Sequence, residues 1–169
     1  DFLLETYRAR GIRCLTFKGF SVSRLYPVPN HREFGDLDIY LFDQYAQGNQ
    51  AVSDKGIQIQ GDDAHHAQYH IDGILVENHP HFLHTSSRLE EKLEAAAWNV
   101  REKQEEDPLF LPPLEQAAYI ACHTAQHFFS NDCNIRLRAL CDWAVILKEE
   151  GKNWHYTDLQ DLLKGTKAE

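Results

Sequence analysis

Two aspartates separated by one residue, Asp36 and Asp38, are the feature of the sequence best suited to chemistry. They lie in residues 35–42, where apolar side chains occupy every second position, a period that predicts a β-strand. Both carboxylates then point to one face of that strand, with α-carbons about 6.6 Å apart. Paired carboxylates repel each other, and one divalent cation, or two cations about 3.5–4 Å apart, relieves that repulsion and can clamp a phosphoryl group. The same pattern also fits a strand end with two solvated acids.

A hairpin signal further along the chain brings in a third carboxylate, Glu77. Asp72-Gly73 stands between the alternating runs 66–71 and 74–78, which predicts a β-hairpin with a two-residue type I′ turn. The pairs across this hairpin would be Ile71 with Ile74, Tyr69 with Val76 and Gln68 with Glu77. Glu77 is therefore expected on the polar face of a sheet, where an exposed strand acid is the alternative interpretation.

The remaining patterns predict an α/β (α+β) protein. Helices are predicted over residues 1–10, 20–25, 43–55, 86–101 (capped by Ser86 or Ser87), 113–128, 135–148 and 157–163, and further strands over residues 12–17 and 57–59. The proline-bounded segment 102–111 is the predicted linker. It divides the chain into an α/β domain over residues 1–101 and a helical domain over residues 102–169.

The helix at residues 135–148 carries apolar side chains nearly all round, which predicts a central, buried position. Arg138 and Asp142 lie four residues apart on it, and this spacing predicts a structural ion pair.

The composition is that of an ordinary globular protein, with 169 residues, 43% hydrophobic and 25% charged. The net charge of −9 argues against broad binding to nucleic acid or to an anionic membrane. No apolar run approaches the roughly 18 residues of a membrane span, and no signal-peptide pattern is present. We expect a cytoplasmic protein with free cysteines. Because the sequence has no Met and starts within a helical pattern, we also expect residues upstream of Asp1.

Several short motifs occur in the order in which one enzyme superfamily carries them. They are Phe17-Lys18-Gly19, Leu25-Tyr26-Pro27, Arg32, Gly35-Asp36-Leu37-Asp38-Ile39, Val76-Glu77-Asn78-His79, a helix bearing His123 and His127, and Leu140-Cys141-Asp142-Trp143-Ala144. Together they resemble the minimal nucleotidyltransferases related to DNA polymerase beta, and within them a bacterial group of uncharacterised nucleotidyltransferases. The resemblance implies a mixed β-sheet with flanking helices, followed by a C-terminal helical subdomain.

The resemblance also implies a reaction and its catalytic residues. Asp36, Asp38 and Glu77 would hold Mg²⁺ or Mn²⁺, and Glu77 would take the proton of the acceptor. A nucleoside monophosphate would pass from a nucleoside triphosphate, ATP being the expected donor, to a hydroxyl of an unknown small-molecule or protein acceptor. Such a transfer depends on positioning and charge neutralisation, which metal-bound carboxylates supply.

The expected nucleotide-binding residues are Lys18, Gly19, Ser21, Arg32 and Gly35. The superfamily carries Gly-Gly or Gly-Ser before its helix, whereas this chain has Gly19-Phe20-Ser21. A single glycine still permits close backbone approach to a phosphate. The positive side chains of Lys18 and Arg32 can bind the triphosphate. The alternative interpretation is that Lys18 and Arg32 are ordinary basic side chains at the protein surface. Because of this departure from the pattern, the sequence also allows the hypothesis that the protein is a catalytically silent relative, which binds a nucleotide or a partner protein for regulation.

Ten histidines allow a second reading, a zinc-dependent hydrolase. His65, His66 and His70 precede the hairpin turn, His79, His81 and His84 follow it, and His123 and His127 have metal-ligand spacing on a helix. The sequence shows no convergent tetrahedral set. His79, His123 and His127 are candidates to line a cleft, and the alternative for His123 and His127 is that they simply pack and form hydrogen bonds. The acceptor, the base preference and the oligomeric state are left open by the sequence.

Overall fold

The fold is a six-stranded mixed sheet with helices on both faces. The computed structural model describes residues 2–62, 66–83, 87–129 and 137–168. The strands are β1 Leu15–Phe17, β2 Asp36–Tyr40, β3 Gln60–Asp62, β4 Ala67–Ile71, β5 Ile74–His79 and β6 Leu109–Phe110. The helices are α1 Phe2–Arg8, α2 Gly19–Ser23, α3 Tyr45–Ser53, α4 Arg88–Lys103, α5 Pro113–Phe129, α6 Leu137–Glu150 and α7 Tyr156–Leu163.

The two strands that carry the candidate acids are neighbours at the centre of the sheet. The strand order is β3-β4-β5-β2-β1-β6, with β2 parallel to β5 and β1 parallel to β6, while the other pairs are antiparallel. The predicted hairpin is confirmed, since Gln68 pairs with Glu77 across it. Asp72 and Gly73 both have positive φ, as a type I′ turn requires. The predicted mixed sheet with flanking helices is also confirmed.

Each face of the sheet buries its own apolar cluster. Along β2, Ile39 packs with Tyr7, Tyr69 and Val76 on one face, where the hydroxyls of the two tyrosines lie 2.6 Å apart. Tyr40 belongs to the larger cluster on the other face, which α4, α5 and α7 cover. Because strand side chains alternate, Asp38 lies on the same face as Tyr40. The acid is therefore held between the sheet and the helices.

Several element bounds differ from those the sequence predicts. β1 begins at Leu15 rather than at residue 12, and the strand predicted at 57–59 lies at β3 instead. The predicted linker 102–111 contains β6, which extends the sheet beside β1. A two-residue strand is too short to show a period of two, so its pattern is not visible in the sequence. The division of the chain at residue 102 stays a prediction.

The prediction of a central, buried helix at residues 135–148 is wrong. In α6, Leu137 is 74% exposed and Leu140 is 53% exposed, and the buried residues are Asp142 and Ile146. Among the described elements, α6 packs mainly against α5 and α2. An all-round apolar pattern predicts burial, but the described elements that pack on α6 leave several of its apolar side chains exposed.

The remaining sequence-based predictions have simple outcomes. Ser87 caps α4, because its hydroxyl accepts a hydrogen bond from the Glu90 amide at 3.1 Å. Cys14, Cys122 and Cys141 are free thiols, as predicted. His65, His84, Ser86 and Cys133 lie outside the described residues. Among the described helices, none is both long enough and apolar enough to cross a membrane.

Candidate functional site

The register of the two central strands places Asp38 directly opposite Glu77. Residues opposite each other on paired strands share a face, and His79, two positions after Glu77, shares it as well. One ligand atom from each of these three side chains lies within 4.8 Å of the other two. The two carboxylates predicted on different strands are therefore neighbours on one face, together with an imidazole.

Asp38 is the centre of this cluster, and its side chain is fully buried. Its Oδ1 accepts a hydrogen bond from Lys18 Nζ at 2.5 Å and lies 2.9 Å from His79 Nε2. Its Oδ2 is buried and has no hydrogen-bond partner among the described residues. A buried carboxylate oxygen without a partner carries a desolvation cost, which a cation at this position would offset.

Asp36 lies at the margin of the site. It falls outside the 4.8 Å cluster of ligand atoms formed by the described residues. Burial raises the pKa of its carboxyl, and the negative charge of Asp38 raises it further while Lys18 lowers it. Asp36 therefore interacts electrostatically with the charges of the cluster. Its role as a metal ligand stays a prediction.

The ionised forms of the cluster stabilise one another. His79, whose Nε2 lies 3.6 Å from Glu77 Oε2, is the main cause that lowers the pKa of Glu77 to about 2. Gln68 also donates a hydrogen bond to Glu77 at 2.8 Å. Burial alone would lower the pKa of His79, but its contacts with Asp38 and Glu77 outweigh burial and raise it. Burial likewise opposes the charge of Lys18, yet Tyr119 and Asp38 raise the pKa of its ammonium. Glu77 is an ionised acceptor at neutral pH.

Helix α5 forms a wall beside this cluster. Tyr119 packs edge-on against Phe17, and its ring stacks on His123 with centroids 5.8 Å apart. His123 Nε2 lies 3.2 Å from His127 Nε2. The groups of the described residues that could hold a metal do not include these two histidines. Burial first, then the charges of Lys18 and His127, lower the pKa of His123 to about 3. His123 is thus a neutral imidazole that faces the cluster.

The neutral state of His123 predicts a pH effect on stability. The unfolded chain protonates this residue near its ordinary pKa of about 6.5, whereas the folded protein does not. The unfolded state therefore binds more protons below that pH, and the free energy of unfolding falls as the pH falls. From about pH 7 to about pH 5, His123→Gln should lose roughly 1–2 kcal/mol less than the wild type. Urea unfolding at several pH values measures this, and parallel curves for the two proteins would refute it.

The glycine bend before α2 is covered by Arg32. Lys18, just before the helix, has a φ of 55°, and Gly19 is buried. A Cβ built on Gly19 would overlap Nη1 of Arg32 and lie 2.8 Å from its Cζ. The guanidinium therefore lies against the glycine backbone. Ser21 donates its hydroxyl hydrogen bond to the Lys18 carbonyl at 3.0 Å, which closes the bend from within.

Arg32 is held in place by Asp142 from α6. Its Nε and Nη2 donate to the two carboxylate oxygens at 3.1 Å and 2.7 Å, and both side chains are over nine-tenths buried. Tyr26 adds a hydroxyl hydrogen bond to the same carboxylate at 2.7 Å. The predicted pair of Arg138 with Asp142 is wrong, because Arg138 donates instead to the Glu33 carbonyl at 3.2 Å. The four-residue spacing favours an ion pair of Arg138 with Asp142, but the bidentate hydrogen bonds from Arg32 to this carboxylate are stronger.

This arrangement makes Gly19 intolerant of a side chain. Gly19→Ala should destabilise the fold by about 1–3 kcal/mol, because Arg32 cannot move aside without breaking its pair with Asp142. Gly35→Ala is the matched control, since a Cβ at Gly35 meets nothing within 4 Å. Chemical unfolding of both variants measures the difference. Equal stabilities of Gly19→Ala and Gly35→Ala would show that the Arg32 guanidinium moves aside at no cost in free energy.

The fold belongs to the nucleotidyltransferase class. A crystal structure of ANT(2'')-Ia in complex with adenylyl-2''-tobramycin is similar, with a TM-score of 0.65 and 10% identity, covering 95% of this chain and 90% of that one. A solution structure of the antibiotic-resistance factor ANT(2'')-Ia is similar too, with a TM-score of 0.65, 9% identity and coverage of 95% and 84%. Identities this low show the fold alone.

The family follows from the sequence itself. The family model described as "Uncharacterised nucleotidyltransferase" matches residues 2–168. The chain belongs to this nucleotidyltransferase family, and the resemblance derived from its motifs is confirmed. No curated protein matches the chain.

Proposed function

We propose that this protein transfers a nucleoside monophosphate from a nucleoside triphosphate, with ATP as the preferred donor, to an acceptor hydroxyl. The reaction would use a divalent cation held by Asp38 and Glu77, with Asp36 beside them. The observation that carries this proposal is the pairing of Asp38 with Glu77 across β2 and β5, at a point where Asp38 keeps a buried oxygen without a partner among the described residues.

The residues present fit such a cation. Carboxylate oxygens are the ligands that Mg²⁺ prefers, and Glu77 is ionised at neutral pH because its pKa is lowered to about 2. Two acids on one half-buried face repel each other unless positive charge lies between them. Lys18 supplies part of that charge in this structure. A bound cation would supply the rest and neutralise charge on the transferred group.

The chain's own residues bind and orient the substrates. The Lys18 ammonium lies at the cluster and can bind a phosphate oxygen as a compact cation. Gly19 keeps the backbone bend open for close approach, while Ser21 and Arg32 hold that bend in shape. Arg32 thus supports nucleotide binding through Gly19, because Asp142 engages its guanidinium. Gly35 leads into β2 with open space around it.

The transfer step needs one proton acceptor. In this proposal Glu77 takes the proton from the acceptor hydroxyl as its oxygen attacks the α-phosphorus. The new bond joins the acceptor oxygen to that phosphorus, the bond from phosphorus to the bridging oxygen breaks, and pyrophosphate leaves with the electron pair. His79, His123 and Tyr119 would line the side of the cluster and restrict water there.

A small molecule with hydroxyl groups is the first acceptor class to test. Its support is the fold shared with ANT(2'')-Ia, whose crystal structure holds an adenylylated small molecule. The test is a screen of the four ribonucleoside triphosphates with Mg²⁺ against pools of hydroxylated small molecules and peptides, read as pyrophosphate release. We expect release that requires both a donor and one pool. Saturable nucleotide binding with no release from any pool would favour the silent, regulatory alternative.

A further inference from the structure

His79 lies beside both acids of the cluster. Its Nε2 lies 2.9 Å from Asp38 Oδ1 and 3.6 Å from Glu77 Oε2. Two neighbouring ligands of one cation, each bound at about 2.1 Å, lie roughly 3.0–3.4 Å apart in octahedral or tetrahedral geometry. The distances from His79 Nε2 to the two acids are close to this spacing, and the three ligand atoms all lie within 4.8 Å of one another.

The surroundings hold these three side chains in place. His79 is 4% exposed at the end of β5, and its ring packs edge-on against Phe17 with centroids 5.2 Å apart. Gln68 fixes Glu77 from the next strand. In the part of the chain that the structure describes, Asp38 Oδ2 and His79 Nδ1 are buried and lack hydrogen-bond partners. A cation among the three side chains would give the free Asp38 oxygen a partner.

We propose that His79 is a metal ligand together with Asp38 and Glu77, so that the site prefers a first-row transition-metal cation to Mg²⁺. The inference rests on the proposed function, since it concerns the cation of the same site. Imidazole nitrogen binds transition-metal cations well, whereas Mg²⁺ strongly favours oxygen ligands and retains water. With two carboxylates alone, the bound cation would depend on which metal is available. One imidazole ligand shifts the preference from Mg²⁺ to a transition-metal cation.

A cation held by this ligand set would displace the Lys18 ammonium. This ammonium hydrogen-bonds the same Asp38 oxygen that His79 contacts. A divalent cation bound to the Asp38 carboxylate would repel the ammonium, which would then turn toward the phosphates of the nucleotide. Cation binding and nucleotide binding are therefore coupled through Lys18.

Mn²⁺ is the probe for the test, because its unpaired electrons report a directly bound nitrogen in pulsed electron paramagnetic resonance. The wild-type protein, loaded with one equivalent of Mn²⁺, should show a nitrogen hyperfine coupling that His79→Gln removes. Calorimetry should show Mn²⁺ binding weakened about tenfold or more by His79→Gln, and Mg²⁺ binding changed much less. The matched control is His81→Gln, at an exposed histidine in a second acidic cluster.

Three results would overturn the inference. Saturable Mn²⁺ binding that depends on Asp38 but has only oxygen ligands would remove His79 while leaving the proposed function intact. A nitrogen coupling lost in His81→Gln and kept in His79→Gln would place the ion at the other cluster. No saturable binding of either cation would end both this inference and the metal-assisted reaction. The wild-type spectrum decides the first case even if His79→Gln fails to fold.

Discussion

Asp38→Asn should lower kcat/KM for nucleotidyl transfer by about 10³-fold or more. The substitution keeps the shape of the side chain but removes the charge that faces Lys18 and His79. The amide offers one acceptor oxygen in place of two, so it loses both affinity for a cation and the field that aligns Lys18. The measurement is steady-state pyrophosphate release with the acceptor found in the screen.

The matched control for this variant is Asp43→Asn. Asp43 follows β2 by three residues, but its side chain is 67% exposed and pairs with Arg101 at the surface. It should keep activity within about twofold of the wild type, as expected for an exposed pair. If folded Asp38→Asn retained wild-type turnover, the acidic cluster would not be the site of the reaction. Circular dichroism melting confirms that the variant compared is folded.

Asp142→Ala should lower the free energy of unfolding by about 3–5 kcal/mol. The change leaves the Arg32 guanidinium buried without its carboxylate, and it also removes the acceptor of the Tyr26 hydroxyl. Because Arg32 lies against Gly19, the loss should reach the glycine bend and raise KM for the nucleotide. Urea unfolding and nucleotide saturation curves measure the two effects.

A surface pair on the same helix provides the control. Glu149→Ala removes an exposed partner of Lys148, and such pairs contribute about 0–1 kcal/mol. The double variant Arg32→Met with Asp142→Leu should recover much of the lost stability, because apolar replacement of a buried pair is often close to neutral. It should not recover nucleotide affinity if the guanidinium shapes the bend. A cost for Asp142→Ala as small as that for Glu149→Ala would show that the pair has no structural role.

The features that were predictable from the sequence are those fixed by local chemistry. Asp72-Gly73 sets the hairpin register, because a two-residue turn with positive φ at both positions leaves one pairing. The alternation after Gly35 places Asp38 on one face of its strand in the same way. With both strands predicted, the pairing of Asp38 with Glu77 still depends on β2 lying parallel to β5 in the observed register, which neither strand's own pattern sets.

The features that were not predictable depend on distant contacts. Asp142 and Arg32 are 110 residues apart, and nothing within α6 indicates a buried arginine as partner. An acid among apolar neighbours does indicate that a positively charged partner must contact it. The sequence therefore indicates that Asp142 needs a partner, but not which residue that partner is. The sequence names His79 as a cleft-lining residue and as one of the histidines of a zinc site, but it cannot place the ring beside Asp38, because that distance depends on the parallel register of β2 and β5.

The most direct measurement is a crystal structure of the protein with Mn²⁺ and a non-hydrolysable ATP analogue, collected for anomalous scattering. We expect an anomalous peak about 2.2 Å from carboxylate oxygens of Asp38 and Glu77, with the triphosphate between that peak and Gly19. A triphosphate bound elsewhere, or no metal between these two acids at full nucleotide occupancy, would contradict the central claim.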